Sequence, residues 1–106
     1  MYARILTFNL KANHLNDFKA TLDKNVIPML RKHNGFKNMI TFAGPSGTEI
    51  RTVSFWDKKE NAETYNSTTY PEVLKLLATV LEGNPQLKTY EVVNSTFSEI
   101  PVLATV

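Results

Sequence analysis

Apolar and polar positions alternate along the first stretch, Tyr2 to Leu10. Tyr2, Leu6, Phe8 and Leu10 fall on one face, and Ala3, Ile5, Thr7 and Asn9 on the other. A two-residue period is that of a β-strand, and apolar residues on both faces imply a strand covered on both sides. The period then changes. Leu15, Phe18, Leu22, Val26, Met29 and His33 recur at three- and four-residue steps, which predicts an amphipathic helix of about twenty residues. Asn13 is its expected N-cap. Pro28 removes a backbone donor inside it and clashes with the carbonyl of Lys24, so a kink is expected there. Arg31, Lys32 and His33 suit the negative end of the helix dipole, and Gly35 suits a left-handed cap.

Alternation returns over Phe36 to Ala43, with Phe36, Asn38, Ile40 and Phe42 set against Lys37, Met39, Thr41 and Ala43. Gly44-Pro45-Ser46-Gly47 is a turn that lacks the lysine and spacing of a phosphate loop. Thr48 to Trp56 alternates again, with Ile50, Thr52, Ser54 and Trp56 on one side, which makes the pair a β-hairpin. Asp57 and Glu60 open a short helix carrying Ala62 and Tyr65, and a break is expected at Asn66-Ser67-Thr68. Thr69 and Glu72 form a capping-box pattern around Pro71. Val73, Leu77 and Val80 then supply an apolar stripe that Gly83 and Pro85 end. Leu87 to Phe97 reads as the last strand.

The order β-α-β-β-α-β predicts an α+β, ferredoxin-like domain with an antiparallel sheet over residues 1–98, followed by a tail at 99–106. Ile100, Val102, Leu103 and Val106 in that tail are expected to rest on something. Two helices cover one face of a four-stranded sheet. The other face needs a partner, and a second copy of the chain is the simplest one.

Composition removes several function classes. The chain has 106 residues, 42% of them hydrophobic and 21% charged, ordinary values for one globular domain. It contains no cysteine, which excludes disulfide scaffolds, thiol nucleophiles and cysteine-based metal centres. Twelve Lys and Arg against ten Asp and Glu give a net charge of +2, and the basic residues are scattered, Arg4 among them. A nucleic-acid binder gathers its charge into a stripe, so no nucleic-acid partner is expected. No apolar run approaches a membrane span and no targeting segment is visible, so no membrane partner is expected and a cytoplasmic location is.

Several pieces together resemble the antibiotic biosynthesis monooxygenase-like group of the dimeric α+β barrel superfamily. They are the first strand running to Phe18, Val26-Ile27-Pro28-Met29-Leu30-Arg31 before Asn34-Gly35-Phe36, the strand end Val53-Ser54-Phe55-Trp56, and the Tyr70-Pro71 helix start. The resemblance implies a homodimer with its two sheets face to face, and a pocket between sheet and helices beside the strand-end tryptophan. It implies oxygenase chemistry without metal or flavin, hence no cofactor. Heme-degrading relatives carry a histidine about ten residues beyond the tryptophan, where this chain has Tyr65, Asn66 and Tyr70. Their first-strand asparagine is replaced by Leu6, with Asn9 on the opposite face. Iron therefore lacks an obvious ligand. The resemblance implies a small aromatic or polyketide-like substrate held by Phe8, Trp56, Tyr65 and Tyr70.

Each candidate has a plainer reading. Trp56 is a wall for stacking a flat substrate or a core residue closing the sheet edge. Tyr65 and Tyr70 are proton or hydrogen-bond donors, or cap a loop. His33 is a general base or a charge on the helix dipole. The two histidines stand roughly 28 Å apart at the standard helical rise, too far to share a metal. Glu49 and Arg51 share a strand face and are expected to pair with each other or across a dimer. A non-catalytic dimeric binding module is the alternative to an oxygenase, with heme degradation third.

Overall fold

The computed structural model describes residues 1–97; the expectations for the tail lie outside them. Strands β1 (Tyr2–Leu10), β2 (Phe36–Ala43), β3 (Glu49–Trp56) and β4 (Leu81–Glu91) form one antiparallel sheet in the order β2-β3-β1-β4. Helices α1 (Leu15–Thr21) and α2 (Ile27–Arg31) are joined by a π turn at Leu22–Val26; α3 (Lys59–Thr68) and α4 (Tyr70–Leu77) follow β3. The α+β ferredoxin-like arrangement is as the residue pattern predicts.

The helices cover one face of the sheet. Leu6, Phe8 and Leu10 of β1 and Ile50 and Trp56 of β3 are buried there against Phe18, Leu22, Val26, Leu30, Tyr65, Val73 and Leu77. The opposite face carries Ile5, Val53, Phe55, Ile40, Phe42 and Tyr90, side by side in the strand register, with Phe42 and Tyr90 exposed.

Pro28 reshapes the first helical region as a π turn. Its nitrogen cannot donate to Lys24, and the Ile27 N–H reaches back to the Leu22 carbonyl, five residues away. The wider turn moves the buried stripe to Phe18, Leu22, Val26 and Leu30, a four-residue step, so Leu30 is buried and Met29 is not. The N-cap is His14, whose carbonyl accepts the first helical N–H; Asn13 takes a left-handed turn at φ 65° instead. Gly35 is left-handed at φ 82°, as expected.

Four further expectations are corrected. First, β2 has an irregularity between Phe36 and Asn38 in its pairing with β3, so Phe36 opposes Trp56 on the helix side while Ile40 and Phe42 turn to the open face. Second, α3 starts after Lys58 and runs through Asn66-Ser67-Thr68 to Thr69; the Asp57 carboxylate accepts a hydrogen bond from Asn61 Nδ2 at 2.8 Å and does not cap the helix. Third, the capping box at Thr69 is not formed, because Thr69 has helical ψ and its hydroxyl is bonded to His33. Fourth, Gly83 and Pro85 lie inside β4, at a register shift against β1. An edge strand tolerates a proline and a left-handed glycine at such a bulge. Strand β4 therefore begins at Leu81 and ends at Glu91. Glu49 and Arg51 share the open face without an ion pair between them.

Candidate functional site

Alternation along β1 sends Arg4, Leu6 and Phe8 to the helix side, and the register sets Arg4 against Ser54 and Leu6 against Thr52. Above them stand Tyr65 from α3 and Tyr70 from the start of α4. These residues, with Phe18, Leu22, Val26, Leu30 and Leu77, line a partly open cavity of ≈ 40 Å³, room for about three waters. A second cavity of ≈ 340 Å³ lies between α1, the π turn and strands β2 and β3, and shares the Phe18 and Leu22 walls. A third, of ≈ 130 Å³, lies between α3 and β4 and shares Arg4.

Phe8, Tyr65 and Tyr70, three of the four pocket residues expected from the sequence, line the first cavity. Trp56 does not. It is fully buried, its Nε1–H donates to Ser54 Oγ at 3.0 Å, and its ring packs 5.2 Å from that of Tyr65. It supports two cavity residues from behind. His33 also stands behind the wall. Its ring meets Tyr65 edge-on at 5.3 Å and Trp56 at 6.2 Å, and its Nε2 is hydrogen-bonded to Thr69 Oγ1 at 2.5 Å. It thus ties the end of the first helical region to the α3–α4 junction, a role beyond a dipole charge.

The residue that sequence reasoning passed over is Arg4. It is only 5% exposed, and its guanidinium carbon lies 4.9 Å from the ring centroids of both Tyr65 and Tyr70. Its hydrogen bond to a side chain goes from Nη2 to Asn66 Oδ1 at 2.9 Å, and no carboxylate pairs with it among the described residues. The signal was its parity: Arg4 shares a face with Tyr2, Leu6, Phe8 and Leu10, where a charge is out of place.

Burial governs the electrostatics. It pushes the Tyr65 phenol up to about 12, while the neighbouring Arg4 charge pulls the other way. Tyr70 is raised for the same reason and opposed by the same charge. Both phenols are therefore neutral near pH 7 and act as donors, not as bases. Burial draws the Arg4 guanidinium down from its usual value and the tyrosines counter it; it stays charged. Among the described residues there is no group of three or more His, Asp or Glu placed to hold a metal ion, and no helix long and apolar enough to cross a membrane.

No protein-family model matches the chain, and no curated protein matches it. Solved structures do. A monooxygenase of Streptomyces coelicolor, in complex with the ligand Nanaomycin D, superposes with a TM-score of 0.76 at 15% identity, over 91% of this chain and 90% of the other. The Rv0793 protein of Mycobacterium tuberculosis matches with a TM-score of 0.70 at 14% identity, over 91% and 98%. A structure named antibiotic biosynthesis monooxygenase matches with a TM-score of 0.70 at 11% identity, over 89% and 100%. The chain has the fold of the antibiotic biosynthesis monooxygenase structures, as the residue resemblance implied.

Proposed function

We propose that the protein is a cofactor-independent monooxygenase of small, electron-rich aromatic or polyketide-like compounds, working as a homodimer. The observation that carries the reading is the cavity where Tyr65 and Tyr70 stand over Phe8, between helices and sheet, in a fold shared with a monooxygenase in complex with the ligand Nanaomycin D. A phenol binding there widens the ≈ 40 Å³ space and meets an apolar floor and two neutral phenol donors. Dioxygen takes four electrons from the ring: one oxygen atom becomes a quinone carbonyl, and the other leaves as water with two hydrogens from the substrate. The apolar open face, with Ile5, Ile40, Phe42, Val53, Phe55 and Tyr90, supports pairing with a second copy.

The test is oxygen uptake with 1-naphthol, read together with formation of 1,4-naphthoquinone. Uptake in the wild type that falls in Tyr65→Phe and Tyr70→Phe is expected. Unchanged rates in both variants remove the site. One observation favours a second reading, a non-catalytic binding module: among the described residues neither His33 nor any carboxylate lines the cavity, so they supply no obvious base there.

A further inference from the structure

Arg4 poses a physical question. A buried guanidinium is ordinarily paired with a carboxylate, because removing the charge from water costs several kcal/mol. Here one nitrogen is hydrogen-bonded to a neutral amide, and the aromatic faces of Tyr65 and Tyr70 flank the cation. Among the described residues no fully buried side-chain nitrogen is left without a partner, so an Arg4 nitrogen without a hydrogen bond keeps some accessible surface. Arg4 borders two cavities, one under the tyrosines and one between α3 and β4. The charge is buried and forms no ion pair among the described residues, although Glu63 lines the second of these cavities.

We infer that Arg4 is an anion-recognition residue, and that the ligand of this cavity is a phenolate or enolate whose oxygen takes the place a carboxylate would otherwise fill. Nη2 spends one of its two N–H groups on Asn66, which leaves four N–H groups of the guanidinium for an anionic oxygen. The aromatic flanks favour a flat ring beside the charge. This inference rests on the oxygenase reading only for its consequence. Holding the substrate as its anion puts electron density on the ring that dioxygen attacks, and it supplies ionisation without a protein base. The proton passes to water.

The experiment is an anaerobic titration with 4-nitrophenol, whose phenolate absorbs visible light and whose phenol does not. Bound to the wild type, the probe is expected to ionise at lower pH than when free, equivalent to about a tenfold to hundredfold preference for phenolate over phenol. Arg4→Met abolishes the preference and Arg4→Lys keeps part of it. Equal binding of the two forms by the wild type, absence of binding, or a preference that survives in Arg4→Met overturns the inference. Should Arg4→Met fail to fold, the Nε–H resonance of Arg4 in the wild type decides. A shift with 4-nitrophenolate but not with 4-nitroanisole supports the site, and an unmoved resonance overturns it. No dioxygen is present, so a phenolate preference without later oxygen uptake leaves Arg4 standing and removes the oxygenase reading alone.

Discussion

His33 and Thr69, thirty-six residues apart in sequence, are joined by a 2.5 Å hydrogen bond that ties the end of the first helical region to the junction of α3 and α4. Tyr70 begins α4 one residue beyond that bond, and Tyr65 packs against the same imidazole. The bond therefore sets where both cavity tyrosines stand. Replacing Thr69 by valine keeps the shape and removes the hydroxyl. A loss of about 1 kcal/mol is expected in urea unfolding, with faster amide exchange at Tyr70 than at Val73. Unchanged exchange at Tyr70 would mean that the junction is held by packing alone.

Gly35 anchors the other side of this region. Its φ of 82° disfavours a side chain, and a Cβ placed there collides with the Asp57 carboxylate. The Asp57 N–H also donates to the Gly35 carbonyl at 2.8 Å, so the two loops are clamped together. Gly35→Ala is expected to lose about 1–3 kcal/mol, measured as a drop in the denaturation midpoint. A neutral result would show that the loop turns by another route.

Tyr65 gives a pH dependence with a definite sign. Its folded-state ionisation lies near 12 against 10.0 in the unfolded chain. The raised value contributes stability that is complete below about pH 10 and is lost as the pH rises through about 12, by about 2–3 kcal/mol at most. Urea midpoints measured across that range should fall in the wild type. In Tyr65→Phe the fall should shrink to the part contributed by Tyr70. Identical pH profiles would mean that Tyr65 ionises freely in the folded state.

The open sheet face predicts its own disruption. Phe42, 53% exposed, stands among Ile40 and other apolar residues of that face. A native mass near twice the 12.0 kDa chain is expected for the wild type, and a single-chain mass for Phe42→Asp. A monomeric wild type would require the face to be covered in another way.

How much of this was legible in the sequence differs element by element. Strand β1, the hairpin and the strand-end tryptophan follow from two-residue alternation, because burial on one side enforces it. The start of β4 was missed because Gly83 and Pro85 carry the signature of a helix end, and only their edge position at a bulge lets a strand hold them. The faces of Phe36 and Phe42 were misjudged because one irregularity in register inverts everything beyond it. Phe8, Tyr65 and Tyr70, grouped from the sequence, do line one cavity. Trp56 was legible as an aromatic landmark, but its full burial depends on Phe36, His33 and Tyr65 closing around it from distant segments. Arg4 is invisible to charge clustering along the chain, because its meaning lies in the face that it shares.

The central claim is that the tyrosine-lined cavity directs dioxygen onto a phenolic ring. The most direct measurement is turnover of 1-naphthol under heavy-oxygen dioxygen, with the quinone product weighed by mass spectrometry. The account predicts a quinone carrying a single heavy oxygen atom, formed by the wild type and lost together with uptake in Tyr65→Phe and Tyr70→Phe. A quinone with no label from dioxygen, or no quinone formed above the protein-free rate, would contradict it.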